Sequence, residues 1–203
     1  MGEELLHQAF YGWGGLIREM VCRGRIVCGT GTQKEYFLPK AVKWMDRDHA
    51  RRLFLRRYFE HYGPATLSDC RYFFGDWKKA DMDPLLQELL PETVCTVIDG
   101  KKYYSLHEPI MDVDLPVCIL VPGFDQLVLG YKDRDRMIDG RFLRELTNIS
   151  GIVSPSILIR GRIRARWKLD GQKIIVTSFD KRLKKDEIAI RRKVKEVFAK
   201  QVK

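Results

Sequence analysis

The sequence predicts an α+β fold in which tandem winged-helix units, the first of them incomplete, precede a small antiparallel β-barrel-like domain with a C-terminal helix. Two observations lead to this prediction. Helical periodicity followed by a hairpin signal occurs twice in the first half of the chain, and short strand signals separated by turns dominate the second half. We expect a partial winged helix over residues 1–45, a winged helix over 46–110 and the β-domain over 111–203.

The first unit is predicted to contain helices and one hairpin. Glycines interrupt the N-terminal helical pattern, which indicates a short helix over residues 5–10 and a better one over 16–22. Strand signals over 25–28 and 35–38 enclose a Gly/Thr loop and form a hairpin. Helix, strand, loop and strand make up the C-terminal half of a winged helix. The chain before residue 5 is too short to supply all the remaining helices, so this unit is expected to be incomplete.

The second unit has all parts of a winged helix in sequence order. The pattern predicts helices over residues 46–62, 67–74 and 85–90, with Pro84 at the start of the third. Two strand signals around an Asp-Gly pair follow over residues 93–106, and such a pair favours a tight hairpin turn. Three helices and a hairpin are a variant of helix-turn-helix. The hairpin segment KKYYSL also matches KEYFLP of the first unit, which indicates a structural repeat.

The third region is predicted to consist of strands closed by a helix. An acidic, proline-bounded segment over residues 107–116 is a linker, and residues 117–121 form a buried strand. Residues 154–179 carry two residue-glycine turn signals between β-rich runs, which predict a three-stranded antiparallel meander. A short helix over 142–147 precedes the meander. Apolar residues at helical spacing predict an amphipathic helix over 184–203.

The middle strand of the meander alternates basic and apolar side chains. Since strand side chains alternate between faces, one face is predicted to be cationic and the other apolar. Basic side chains about 6.6 Å apart could follow a run of phosphates; the alternative is the solvated outer face of a small sheet. The basic row, as we call the charged set, is Arg162, Arg164, Arg166 and Lys168. The apolar residues that alternate with it are Ile163, Ala165, Trp167 and Leu169.

The positive charge is concentrated at the C-terminal end of the chain. The net charge is +10, and the residues from Arg160 onward carry 16 Lys and Arg against 5 Asp and Glu. The preceding residues are therefore close to neutral. A basic region of this kind attracts polyanions, with nucleic acid the first candidate and an acidic membrane surface or acidic protein the second.

Several classes of protein and site are not expected. No apolar run approaches the length of about 20 residues that a membrane span needs, and no secretory leader is recognisable. The cysteines are odd in number and scattered, so we expect buried thiols in the reducing cytoplasm. The histidines lack ligand spacing, so no metal is expected, and without a phosphate loop or dinucleotide fingerprint no cofactor is expected. The cysteines are Cys22, Cys28, Cys70, Cys95 and Cys118.

Several segments resemble the winged-helix DNA glycosylases that excise alkylated bases and unhook interstrand crosslinks. RRLFLRRYFEHYGPATLSDCRYFFG looks like the second winged helix of that family, and PGFDQLVLGYKDRDRMID and GIVSPSILIRGRIRARW look like its β-domain. The more distinctive matches are the pentapeptide at Gly130–Arg134, the pair Ser154-Pro155 and Trp167. The resemblance extends from Trp13 to Trp167. It implies tandem winged helices, a barrel-like domain, double-stranded DNA as the partner and a place in DNA repair.

The chain departs from that family's pattern at the catalytic motif. Members carry a Gln-aliphatic-Gln or Gln-aliphatic-Asp triplet in an N-terminal region, and no such triplet occurs here. The nearest is Gln33-Lys34-Glu35, which has a charged centre. No catalytic residue is therefore carried over, and the chain is interpreted as a C-terminal portion of a member or as a short member without the chemistry. Arg164 and Arg166 also stand where relatives have small or neutral residues.

The sequence favours a DNA-binding protein related to DNA repair that contacts duplex DNA mainly through phosphates. The alternatives are a glycosylase that excises alkylated bases, and a protein-interaction or transcription-regulatory module whose partner docks on the incomplete first unit. Enzymatic activity is the less favoured hypothesis. The candidate DNA contacts outside the basic row are Arg25, Lys78, Lys79, Lys101 and Lys102. A charged cluster is interpreted as a site or, preferably, as an internal salt-bridge network: Asp125, Lys132, Asp133 and Arg134.

Overall fold

The chain is a mixed helix and strand protein, as the α+β prediction requires. The computed structural model describes residues 2–4, 7, 15–32, 35–41, 43–110, 113–171, 173–180 and 186–199. It divides into two compact units, Met1–His49 and Ala50–Lys203. Most of the predicted helix over 5–10 and both ends of the predicted C-terminal helix lie outside the described residues.

The first unit contains a helix and a short hairpin. Helix α1 spans Gly15–Cys22, and strands β1 (Val27–Cys28) and β2 (Tyr36–Phe37) pair in antiparallel fashion. Gly24 follows α1 with φ of +61°, and a Cβ at this position would lie 2.8 Å from the Trp44 ring. Only glycine therefore fits between the helix end and this ring.

Three helices and a hairpin follow in the predicted order. They are α2 (Arg47–His61), α3 (Leu67–Phe73), α4 (Lys79–Leu89), β3 (Val94–Ile98) and β4 (Lys101–Ser105). The prediction that the third helix starts at Pro84 is wrong, because α4 begins earlier and contains that proline. Pro84 is the sixth of the eleven residues of α4, beyond the first turn, so it removes one backbone hydrogen bond from the helix.

The second unit has its helical core between α2, α3 and α4. Three ion pairs on the helix surface join α2 to α4 and to the turn after it. The buried core residues are Leu55, Tyr58, Phe59, Ala65, Cys70, Met82, Leu85, Leu86 and Leu89. The ion pairs are Arg51–Asp81 at 3.0 Å, Arg52–Glu88 at 2.9 Å and Arg56–Glu92. Three of the five arginines of α2 thus have structural partners on α4 and the following turn.

The β3–β4 hairpin has the tight turn that its Asp-Gly pair predicts. Asp99 and Gly100 have φ of 49° and 75°, as a type I′ turn requires. Tyr104 of β4 exchanges backbone hydrogen bonds with Ala65, at 3.0 and 2.8 Å. These bonds attach the hairpin to the start of α3.

The second half of the chain forms a four-stranded antiparallel sheet. Its strands are β5 (Cys118–Val121), β6 (Ser156–Ile159), β7 (Arg162–Asp170) and β8 (Lys173–Ser178), in the order β5-β6-β7-β8. The predicted meander is therefore present, with β5 added at one edge. The accompanying helices are α5 (Gln126–Leu129), α6 (Leu143–Leu146) and α7 (Glu187–Ala199).

Two apolar clusters lie against this sheet. One joins the sheet to α7 through Cys118, Ile157, Ile159, Ala165 and Ile190. The other joins it to α5 and α6 through Val128, Met137, Ile138, Leu146, Val153 and Ile163. Among the residues that the structure describes, no helix is both long and apolar enough to cross a membrane.

The prediction of buried thiols is wrong for three of the five cysteines. Cys70 and Cys118 are buried, whereas Cys22, Cys28 and Cys95 are exposed. Cys95 shows the reason, because it lies on the outward face of a two-stranded hairpin, where one side of each strand meets solvent. Burial raises the pKa of the Cys70 thiol to about 12 and also raises that of Cys118.

We expect thiol labelling to separate these two groups. An aromatic disulfide reagent at about pH 8 should modify Cys22, Cys28 and Cys95 quickly, since reactivity follows exposure and thiolate content. Cys70 and Cys118 should react only after denaturation. Mass spectrometry of the labelled peptides checks the assignment, and rapid labelling of Cys70 in the folded chain would contradict it.

Candidate nucleic-acid interface

Strand β7 follows the predicted alternation only on one side of a β-bulge. Ile157 of β6 pairs with Ala165, but the next residue, Leu158, pairs with Ile163. Arg164 is thus the extra residue of the bulge. As a result Ala165 packs in the α7 cluster, whereas Ile163 packs with Val128 in the other cluster. Both residues are buried, but the prediction that they share one apolar face is wrong.

The bulge also divides the basic row, because its first two members have partners within the protein. Arg162 donates from Nη1 to the Asp135 carbonyl at 2.5 Å. The Arg164 guanidinium lies 3.9 Å from the Asp180 carboxylate. Arg162 and Arg164, which the sequence analysis proposed as phosphate contacts, are therefore engaged by groups of the protein itself.

Arg166 and Lys168, beyond the bulge, have no such partners. Both side chains are exposed, and neither forms a hydrogen bond or ion pair with the part of the chain that the structure describes. On β8 their register partners are Thr177 and Ile175, which leaves no acidic side chain directly opposite. These two residues therefore present uncompensated positive charge to solvent.

The two lysines after the β3–β4 turn differ in the same way. Lys101 donates from Nζ to the Asp133 carboxylate at 2.5 Å. This hydrogen bond raises the pKa of Lys101 and lowers that of Asp133, so the pair is weakened as the pH falls through the lowered Asp133 pKa. Lys102 is exposed, with Val97 as its register partner.

The other predicted contacts lie at element boundaries. Lys78 is the exposed residue before α4, and the Nζ of Lys79 lies 4.0 Å from Asp83, which Arg71 binds more closely at 2.9 Å. Arg25 is exposed and lies before β1 in the first unit. DNA contact by Arg25, Lys78 and Lys79 stays a prediction.

The two aspartates of the predicted charged cluster stabilise local turns. Asp125 accepts a hydrogen bond from the Leu127 amide at 2.8 Å and caps α5. Asp133 accepts one from the Asp135 amide at 3.0 Å in addition to its bond from Lys101. These contacts are of the internal kind that the network interpretation expects.

The two basic members of the cluster lie in different environments. Arg134 donates from Nη2 to the Tyr72 hydroxyl at 3.2 Å, while its Nε is buried without a hydrogen-bond partner among the described residues. Lys132 is exposed, and its side chain has no described partner. Lys132 is therefore the basic member of the cluster whose side chain has no hydrogen-bond partner among the described residues.

A buried carboxylate connects the cluster to the helices. Asp69 is 1% exposed and accepts four hydrogen bonds. Its Oδ1 receives the amides of Lys132 and Asp133 at 2.9 and 3.1 Å, and its Oδ2 receives the amide and hydroxyl of Thr66 at 3.0 and 2.8 Å. Thr66 and Asp69 are visible in the sequence as a capping box, but the bonds to residues 132 and 133 are not.

The pentapeptide Gly130–Arg134 joins the helices to the sheet region along its whole length. The Gly130 carbonyl accepts a hydrogen bond from the Tyr58 hydroxyl at 3.0 Å, and the Tyr131 hydroxyl donates to the Tyr62 carbonyl at 2.9 Å. A Cβ on Gly130 would lie 2.6 Å from the Tyr62 ring, so glycine is required there. Burial raises the pKa of Tyr58 and Tyr131, which keeps both hydroxyls protonated as donors.

Arg136 extends this joint and was not predicted from the sequence. Its guanidinium lies 3.8 Å from the centre of the Tyr131 ring and donates to the Pro64 carbonyl at 2.9 Å. A cation over an aromatic face is favourable, more so away from water. The dense charge after Tyr131 is the only sequence signal for this role.

The nearest approach to a catalytic triplet, at residues 33–35, lies largely outside the described residues.

The fold defines a class of known proteins. A solved structure, Streptomyces sahachiroi DNA glycosylase AlkZ, superimposes with a TM-score of 0.70 at 22% sequence identity and covers 89% of this chain and 53% of its own. At this identity the likeness concerns the fold alone, shared with about half of that structure.

The family follows from the sequence comparison. The model of the DNA glycosylase AlkZ-like family matches residues 8–198, and the chain belongs to this family. A curated relative, an interstrand DNA cross-link repair glycosylase of Streptomyces sahachiroi, is 25% identical over 183 residues, which are 83% of this chain and 49% of the relative. The chain therefore spans about half the length of the proteins it matches, and the resemblance described above is confirmed.

Proposed function

We propose that this chain is a duplex-DNA-binding module of DNA repair, which contacts DNA mainly through backbone phosphates. The single observation that carries the proposal is the pair Arg166 and Lys168: two exposed cations on one strand, without partners among the described residues. Cationic side chains that are not paired within the protein release counterions when they meet phosphates. Membership in a DNA glycosylase family makes DNA the polyanion of choice.

The proposal includes the finer architecture predicted from the sequence. Helices α2, α3 and α4 followed by the β3–β4 hairpin have the order of a winged helix, in which the hairpin is the wing. We propose that this wing, with Lys102 exposed near its turn, lies along the DNA backbone. Helix α4 exposes Gln87 and Glu88, and Arg52 pairs with the latter at 2.9 Å, so it supports the wing instead of reading bases.

A salt titration tests the proposal. We expect a fluorescein-labelled duplex to bind the chain, with log K falling linearly as log salt concentration rises, by about 0.9 for each phosphate contacted. Fluorescence anisotropy over a series of salt concentrations gives this slope. Absence of binding at low salt would contradict the function.

Base excision is the second candidate, and the family match favours it. It requires a polar group that activates water beside the extruded base, and the family's Gln-aliphatic-Gln triplet does not occur in this sequence. We propose that this chain alone leaves alkylated DNA intact. Formation of abasic sites in alkylated duplex by the purified chain would overturn this part of the proposal.

The first unit suggests a protein contact in addition. Its hairpin and the segment after it expose large apolar side chains: Phe37 at 52%, Leu38 at 78%, Trp44 at 65% and Met45 at 52%. Clusters of exposed apolar residues mark interaction surfaces. We propose that helical structure of a protein partner covers this surface, because a winged helix packs such a hairpin against its helices.

A further inference from the structure

An open depression of about 540 Å³ lies between the start of α3, the β3–β4 hairpin and the segment after Tyr131. Three lysines, a serine hydroxyl and two carboxylates line it. These residues are Lys101, Lys102, Lys132, Ser68, Asp69 and Asp133. They come from three parts of the chain: Asp69 links the start of α3 to residues 132 and 133, and Lys101 links the hairpin to Asp133.

The two carboxylates of the depression already accept hydrogen bonds from groups within the protein. Asp69 is almost completely buried, and its four hydrogen bonds satisfy both oxygens. Asp133 binds Lys101 through one oxygen and the Asp135 amide through the other. The charge of Lys101 is thereby compensated, and its role is to orient Asp133.

Three donors of the depression remain available. The ammonium groups of Lys102 and Lys132 and the hydroxyl of Ser68 have no hydrogen-bond partner in the part of the chain that the structure describes. Two ammonium groups and a hydroxyl from separate elements around one opening match the oxygens of a phosphate group. The three lysines and the two aspartates give the lining a formal charge of +1, so the opening attracts anions.

We propose that this depression binds one backbone phosphate of duplex DNA, held by Lys102 and Lys132 with Ser68 as the third donor. The assignment rests on the proposed function and adds a contact point separate from Arg166 and Lys168. It also gives the pentapeptide Gly130–Arg134 a second role, because the same segment that joins the helices to the sheet region presents Lys132 to the DNA.

The surface beside the depression fits a continuous backbone track. Tyr72 lies one helical turn after Ser68, so the two hydroxyls share a face of α3. The Tyr72 hydroxyl is held by Arg134 at 3.2 Å. A DNA strand whose phosphate enters the depression would therefore pass over further polar groups.

The test is the salt slope of duplex binding by Lys102→Gln/Lys132→Gln. We expect the slope to fall by about 0.9 and the affinity at about 0.15 M salt to drop about fivefold, as the loss of one phosphate contact implies. The matched control is Arg57→Gln/Arg144→Gln, which removes the same charge from exposed residues outside both proposed surfaces and should keep the wild-type slope. Lys102→Arg/Lys132→Arg retains the charge and should keep the slope as well.

The outcomes separate this site from the function on which it rests. A wild-type slope in Lys102→Gln/Lys132→Gln, with duplex binding intact, would overturn the site and leave the DNA-binding function standing. Absence of duplex binding by the wild-type chain would overturn both. Calorimetric titration with inorganic phosphate distinguishes the source of the phosphate: binding by the wild type that the double variant lacks, together with an unchanged duplex salt slope in that variant, would reassign the depression to free phosphate.

Discussion

Replacing Asp69 by asparagine is expected to lower the free energy of unfolding by about 2–4 kcal/mol, the largest stability effect of a single conservative substitution in this chain. The carboxylate accepts hydrogen bonds only, two at each oxygen, from Thr66, Lys132 and Asp133. Asparagine has the same shape but replaces one oxygen by an amide group that donates. Whichever way the amide is oriented, it meets two donors in a buried place.

The physical reason for the size of this effect is the burial of Asp69, which is 1% exposed. A buried donor that loses its acceptor remains desolvated without a compensating hydrogen bond, whereas an exposed donor forms a new hydrogen bond with water. Thermal unfolding monitored by circular dichroism checks the prediction, and about 2–4 °C per kcal/mol is expected for a chain of this size. Amide hydrogen exchange should also accelerate at residues 132 and 133.

Asp125→Asn is the matched control. It makes the same chemical change at the cap of α5, where the carboxylate accepts one hydrogen bond among the described residues, from the Leu127 amide at 2.8 Å. Asparagine caps helices about as well as aspartate, so the free energy of unfolding should change by less than about 0.5 kcal/mol. Equal destabilisation by the two variants would mean that the link to residues 132 and 133 contributes nothing.

The contrast between the two halves of the Asp69 network explains what the sequence could predict. Thr66 lies three residues from Asp69, and a capping box is a local pattern with a known spacing. The amides at 132 and 133 are over sixty residues away, and no local rule links them. Helix α2 and the Asp99-Gly100 turn were likewise predictable, because periodicity and turn chemistry are properties of short segments.

The basic row shows where local reasoning fails. Alternation predicts one apolar face, and it would hold if β7 paired with β6 without interruption. The bulge at Arg164 instead directs Ile163 and Ala165 into different clusters. Its position satisfies the packing of α7 on one side of the sheet and of α5 and α6 on the other, which only the assembled fold defines. The start of α4 was missed for a related reason, since its tertiary packing outweighs the signal of Pro84.

Neutralising Arg166 and Lys168 together is expected to have the largest effect on DNA binding. The variant Arg166→Gln/Lys168→Gln should lower the salt slope by about 1.8 and weaken duplex binding about thirtyfold at about 0.15 M salt, since two phosphate contacts are lost. Both side chains are exposed and lack partners among the described residues, so the fold should tolerate the change. Anisotropy titrations with one duplex give both quantities.

The first two members of the basic row serve as the internal control. Arg162→Gln/Arg164→Gln removes the same charge from the same strand, but here the bonds to the Asp135 carbonyl and the Asp180 carboxylate are lost. This variant should reduce thermal stability and change the salt slope by less than the Arg166/Lys168 pair does. Because the four residues lie on one strand, a general loss of positive charge would affect both variants alike. If Arg162→Gln/Arg164→Gln lowered the salt slope more than Arg166→Gln/Lys168→Gln, the DNA would lie on the other side of the bulge. Arg166 and Lys168 would then not be the contact.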